Sequence, residues 1–412
     1  MAMNQMDIIS EEDRSVLRSL AGKVAELAAR KTEEEKRDLW TRHNELEETR
    51  PLIFCDPEGG WKEIIQADML ACRNDLARGW ELRLRKEIFW AQGLKDDRVI
   101  EPYFDVAHVY QETDWGMHEQ RIGGERGGSF IWDAPLKTYD DLDKLHAPVI
   151  TVDHQATQQR LELAKSTLGD LLAVRLRTGW WWSLGLTQRA AYLRGLEQLM
   201  MDIYDHPDGL KRFMASLRDA TLARVNFLES HGLLRSNRGD SYVGSGGFGY
   251  TRYPHNSDEP SQTKDMWGFC ESQETTGWGP EIFAEFVYPY QLPLLEKFAL
   301  NCYGCCEPLH SRWNIIAKTP RLRRVSVSAW ADVEKMAEQL GDRVIYSYKP
   351  PPSDLARPVM DEAHARVVLR RLRNATRGCR LEVIMKDNHT LGGNPRNAIR
   401  WIEIAREELG SE

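Results

Sequence analysis

One feature constrains this chain more than any other, an alternation of short apolar runs with longer helical stretches. The apolar runs lie at 51–55, 99–106, 171–177, 266–271, 299–305, 324–330, 344–349 and 380–386. In the C-terminal half the stretches between them, 280–298, 332–340, 361–375 and 394–409, carry apolar residues at helical spacing. Strands that alternate with helices pair into a parallel sheet covered on its faces by those helices. Eight such strands are the number that closes into a (β/α)₈ barrel. A doubly wound open sheet is the alternative, but no G-x-G-x-x-G follows a strand run. The sequence therefore predicts an α/β chain, a single (β/α)₈ TIM barrel over 51–412. Before it, over 1–50, Val16, Leu17, Leu20, Val24 and Leu27 make an apolar stripe in a charged segment, with Ser10 placed to cap the first turn. That reads as a helical N-terminal extension packed on the main body, or used in a homodimer contact.

Two stretches are too long for simple connections, 107–149 and 239–264. Loops of that length in a compact domain tend to be lids or binding loops, and as βα insertions both would lie beside the barrel mouth. The 412 residues fit one large barrel, and the net charge of −8 argues against nucleic acid as the main partner. No apolar stretch reaches the roughly 18 residues that span a bilayer, and the first residues lack a secretory pattern, so a cytoplasmic protein is expected.

The seven cysteines do not read as a disulfide framework, being odd in number, yet Cys302, Cys305 and Cys306 fall within five positions. They follow a strand run, at what would be the catalytic end of a barrel strand, and Glu307 and His310 come directly after. Thiolate, carboxylate and imidazole are zinc ligands, and a catalytic zinc uses about three of them. Cys305 and Cys306 are the first candidates for such a site, with Cys302 and His310 as alternatives. Small cysteines packing where a strand meets a loop, or a redox pair, are the other readings.

The last strand run ends in Lys386-Asp387-Asn388-His389, where His389 could be a third ligand or a proton carrier and Lys386 and Asp387 an ion pair. The preceding run ends at Lys349, placed to hold an anion. Asp332 reads as the cap of the helix after it. Arg175 and Arg177 alternate on one strand and so share a face, either towards the interior or towards the helices. The 14 tryptophans are a heavy load, and flat aromatic surface can line a ligand pocket. Trp181, Trp267 and Trp330 at strand starts and ends, together with Arg177, are the candidate substrate contacts. Tyr303, Glu307, Lys349 and Asp387 are the candidate catalytic groups.

Four pieces of sequence, Tyr303–Pro308, Arg324–Trp330, Ser347–Pro350 and Lys386–Thr390, resemble the uroporphyrinogen decarboxylase superfamily, which includes cobalamin-dependent methyltransferases. The run at 202–207 is similar to the family's helix after its third strand. The resemblance covers most of the chain after about residue 50 and is clearest over 266–409. It implies a barrel with its site at the C-terminal mouth and either of two chemistries. One is transfer of a methyl group between a small methylated substrate, such as a methoxylated aromatic, and a corrinoid carried by a partner protein, with zinc in the site. The other is decarboxylation of a small or tetrapyrrole acid. The family's zinc-binding His-x-Cys would fall where Asn301 and Tyr303 stand, so the resemblance leaves zinc to Cys305, Cys306 and His389. The Arg-Gln-Ala-Gly-Arg motif of true uroporphyrinogen decarboxylases is absent. A barrel that binds a ligand without catalysis is the reading from another class.

Overall fold

A computed structural model describes residues 9–118, 120–123, 130–253 and 259–410. All eight anticipated strands form, each within a few residues of its apolar run: β1 Leu52–Cys55, β2 Tyr103–Val106, β3 Ala173–Leu176, β4 Trp267–Cys270, β5 Leu300–Tyr303, β6 Leu322–Ser328, β7 Ile345–Lys349 and β8 Arg380–Met385. Most of their residues are buried on both faces, which is why they read as continuous apolar runs. Six of them make one parallel sheet in the order β1-β8-β7-β6-β5-β4, and β2 pairs with β3, also in parallel.

The backbone ladder does not run round a closed ring of eight, as a regular barrel would require, because it is interrupted at two seams. At the outer edge of β1, side chains and loop backbone replace a neighbouring strand. Asp97 accepts from Ile53 N at 2.7 Å and donates its own N–H to Ile53 O at 2.8 Å, while Asp96 accepts from Cys55 N at 2.9 Å. At the outer edge of β4, the amide of Asn237 both accepts from Trp267 N (2.8 Å) and donates to Trp267 O (2.9 Å), and Leu184 N bonds Phe269 O at 2.9 Å. Both edges of the six-stranded sheet are thus satisfied by side-chain mimics of a strand, and neither is open to another chain.

The two long insertions do different things. The first forms antiparallel ribbons, Val109–Glu112 with Ile150–Asp153 and Gln120–Gly123 with Phe130–Asp133. The second does not stay beside the mouth. Its hairpin, Tyr242–Val243 with Gly247–Phe248, enters the space that the sheet encloses. Residues from both edge strands meet it, since Phe54 of β1 lies 5.0 Å from the Phe248 ring and Trp267 of β4 donates through Nε1 to Gly249 O at 3.1 Å. The six-stranded sheet therefore curls around the hairpin. Gly247 is where the fit is tightest, because a Cβ there would stand 2.5 Å from the Arg324 guanidinium carbon of β6. Asp240, just before the hairpin, takes Arg175 at 2.8 Å and Arg177 at 2.6 Å, so both arginines face inward as their alternation allows.

The N-terminal segment forms α1 Glu11–Ala28 and α2 Lys31–Asn44, with Ser10 capping through Oγ to Asp13 N at 3.1 Å. It is more than a surface layer. Asn44 at the end of α2 donates to Phe248 O and Tyr250 O (2.9 and 2.7 Å), and His43 lies 3.2 Å from Glu382 of β8. Glu382 also accepts from Arg324 Nη2 at 3.1 Å, within an ion pair whose shortest approach is 2.8 Å, and from Ser347 Oγ at 2.5 Å, and Ser347 accepts from Lys349 Nζ at 2.5 Å. The interior thus holds a polar chain from Lys349 through Ser347 and Glu382 to Arg324 and His43. Burial alone would raise the Glu382 carboxyl, but Arg324 and His43 hold it well below the ordinary range. No helix among the described residues is long and apolar enough to cross a membrane.

Candidate functional site

The hairpin fills the interior, so chemistry is left to the C-terminal strand ends above it. Three ends meet there. After β5, Gly304 at φ +90° turns the chain, and a Cβ on it would lie 2.4 Å from Leu309. That turn puts Cys305 inward, its Sγ accepting from Ser245 Oγ of the hairpin at 3.3 Å, and leaves Cys306 exposed with the two sulfurs 3.6 Å apart. After β8, Asp387 sits at φ 61°, a conformation few non-glycine residues adopt; its Oδ1 takes Lys386 Nζ at 2.5 Å and its Oδ2 lies 3.9 Å from Cys306 Sγ. The expected Lys386–Asp387 ion pair is formed.

The thiols differ in acidity. Cys305 is raised well above its ordinary value, first by its hydrogen bond with Cys306 and then by burial. Cys306 is lowered, because the Cys305 S–H donates to its thiolate; Lys386 helps, while burial and Asp387 oppose. The pair therefore presents one accessible sulfur that ionises more readily than the buried one behind it.

After β4 comes Glu271, buried and pushed well upward by burial and by the carboxylates of Glu274 and Glu307. Glu307, fully buried, bridges the ends of β4 and β5: Oε1 accepts from Ser272 N at 2.7 Å and Oε2 from Cys305 N at 2.9 Å. It fixes the thiol-bearing turn against Glu271 and touches no open space, so it is a positioning group more than the catalytic carboxylate the sequence suggested. Lys349 is buried in the polar chain below the mouth, and burial depresses it to about 8.

Other candidates lie elsewhere. Tyr303 has the strand parity of Asn301 and points to the helices, donating to Gln291 Oε1 at 2.6 Å. Cys302 faces the interior one step deeper, 3.9 Å from Arg324 Nη1. Trp267 is buried under Arg324, whose guanidinium lies 5.2 Å from its ring. Arg177 is held by Asp240 and by Ser236 O. Trp330 is 77% exposed beside the helix Glu362–Ala375, in a small pocket with Tyr348 and Arg371. His310 accepts from Asp332 N at 3.2 Å, and Asp332 also caps its helix as expected. His389 is exposed in the loop after β8.

Among the described residues, no three His, Cys, Asp or Glu side chains stand close enough to hold a metal ion. Cys305 and Cys306 provide two sulfurs, but neither His389 nor the alternatives Cys302 and His310 join them. The residues as placed do not fit the anticipated zinc. Trp181 does line a cleft, of about 410 Å³, with Trp115, Trp180, Trp182 and Glu271. Glu271 and this cleft escaped the sequence reading, although Glu271 follows an apolar run in the same way that the cysteines do.

No family model and no curated protein matches the chain. Among solved structures, a methyltransferase from Methanosarcina mazei is similar, with 12% identity, covering 91% of this chain and 98% of that one, at a TM-score of 0.49.

Proposed function

We propose that this protein is an enzyme of methyl transfer, working at the mouth of a barrel that its two side-chain seams complete. The observation that carries the reading is the accessible Cys306 sulfur with a protonated neighbour, held beside Lys386 and Asp387 at converging strand ends. In its more specific form, the methyl group leaves a small methyl ether for a corrinoid on a partner protein, which supplies a nucleophile strong enough to take it. The Cys306 sulfur takes the methyl first: a carbon–sulfur bond forms as the carbon–oxygen bond breaks, the electron pair of the broken bond stays on oxygen, and a protonated group of the mouth gives that oxygen a proton; the methyl then passes from sulfur to the corrinoid, and the carbon–sulfur electron pair returns to sulfur. This chain's share is to hold the ether oxygen against such an acid and to present the methyl outward. A large planar cofactor has no room inside, where the hairpin lies, so the mouth suits one carried by another protein. The residues as placed do not fit zinc.

Decarboxylation of a polycarboxylate is the weaker reading. It needs cations free for substrate carboxylates, whereas Arg175 and Arg177 are occupied by Asp105 and Asp240, and Arg324 by Glu382. The test is methyl transfer from a methoxybenzene to cob(I)alamin, followed by loss of the cob(I)alamin absorbance. Cys306→Ser is expected to lower the rate at least tenfold. An unchanged rate, or CO₂ release from an aromatic acid in its place, overturns the proposal.

A further inference from the structure

The cleft of about 410 Å³ opens between the loop after β3, the helix Pro207–Ser230 and the first long insertion. Four tryptophans line it, Trp115, Trp180, Trp181 and Trp182. Trp182 is 47% exposed and braced edge-on against Phe269 of β4, with ring centroids 5.3 Å apart. A half-exposed indole held by a rigid strand offers a flat apolar face at little cost in conformational entropy.

The polar end of this cleft is Glu271. Its carboxyl is nearly solvent-free, accepts Gln273 N at 3.1 Å, and has only a long 3.5 Å contact from Ser183 Oγ on the other oxygen. The ionisable groups that act on it are Glu274, Glu307 and Cys305, all of which oppose its negative charge. Gly185, which lines the same cleft, lies so close that a Cβ on it would come within 2.5 Å of Oε1. A carboxyl in such surroundings holds its proton to higher pH than usual, and while protonated it is a hydrogen-bond donor. The neighbouring cations are used already, since Arg224 is paired with Glu112 at 2.5 Å and Arg189 lies over Trp115. The cleft therefore has an aromatic wall and a carboxyl donor, and among the described residues it has no open cationic end of the kind an anionic ligand would need.

We propose that this cleft binds an uncharged planar aromatic molecule bearing a hydrogen-bond acceptor, with Trp182 as the stacking face and the carboxyl of Glu271 as the donor. As a substrate site it rests on the methyl-transfer reading, because the Glu307 clamp ties Glu271 to the Cys305–Cys306 turn and makes Glu271 the acid nearest a bound ether oxygen. As a binding site it stands independently.

Anisole and toluene differ in one acceptor oxygen and serve as probes in ligand-observed NMR titrations of the full chain. Anisole is expected to bind about fivefold tighter than toluene, the worth of one hydrogen bond. Trp182→Ala should weaken both at least fivefold. Glu271→Leu should bring anisole down to toluene, while Glu271→Gln, which still donates, should keep the preference; circular dichroism checks that each variant is folded. Equal binding of the two probes, or full binding by Trp182→Ala, overturns the proposal. If the probes behave as expected but cob(I)alamin is not methylated, the site stands and the methyl-transfer reading fails. If methyl transfer proceeds with KM unchanged in Trp182→Ala and Glu271→Leu, the reverse holds.

Discussion

Replacing Lys349 by methionine should make the protein more stable at neutral pH. The ammonium is 6% exposed and bonds Ser347 Oγ at 2.5 Å and, weakly, Ser347 O at 3.4 Å. Burial lowers its pKa from 10.5 to about 8. That lowering corresponds to about 3 kcal/mol, the free-energy cost of keeping the charge inside at pH 7. Methionine has a similar volume and no charge, but it gives up the bond to Ser347, worth about 1 kcal/mol. Lys349→Met should therefore gain about 2 kcal/mol at pH 7. The sign then reverses with pH. Between about 8 and 10.5 the unfolded wild-type chain holds a proton that the folded chain has lost, so wild-type stability rises across this window and the variant's advantage disappears. Glu382 stays ionised throughout, since Arg324 and His43 still face it. Guanidinium titrations of both proteins at pH 7, 8.5 and 10 measure the difference. A variant less stable at pH 7, or an advantage that does not shrink by pH 10, would refute the reasoning, because the buried ammonium would then be fully compensated by its surroundings.

Two further outcomes follow from the same geometry. Asp240→Ala leaves Arg175 and Arg177 without their shared carboxylate inside the sheet, although Arg175 keeps Asp105. A loss of about 3–5 kcal/mol is expected in a thermal unfolding assay, and a loss under 1 kcal/mol would mean that water reaches the arginines. Iodoacetamide at pH 7.5 should alkylate Cys306 well before any other cysteine, as read by peptide mass, and Cys306→Ser should leave Cys305 almost unreactive. Faster labelling of Cys305 would contradict the acidities assigned to the pair.

The strands were legible because burial on both faces writes an unbroken apolar run, and helix caps such as Ser10 and Asp332 carry their own chemical signature. The inward pairing of Arg175 and Arg177 left its face open in the sequence, since alternation says only that the two agree. The seams were not legible. Asp96, Asp97 and Asn237 replace backbone partners by side-chain bonds, and no periodicity reports that. The hairpin's entry into the sheet was also missed, though Gly244, Gly246 and Gly247 crowd together where chain must pass close to Cys302, Ile384 and Arg324. The strand-end reading of Cys305, Cys306 and Asp387 rests on residues that the structure places beside one another. Tyr303, taken as a candidate from the same strand end, alternates with the inward Cys302 and so faces the helices.

A curved sheet filled by its own main chain has a consequence for how the molecule is made. The hairpin at 242–248 is enclosed by β5, β6 and β8, which are synthesised later, and its partners come from both ends of the sequence, from Asn44 to Lys386. Such distant pairings postpone their reward until much of the chain has been ordered, which slows folding. An early collapse that excludes the hairpin would leave a hollow sheet with exposed apolar lining, the kind of surface on which large chains aggregate.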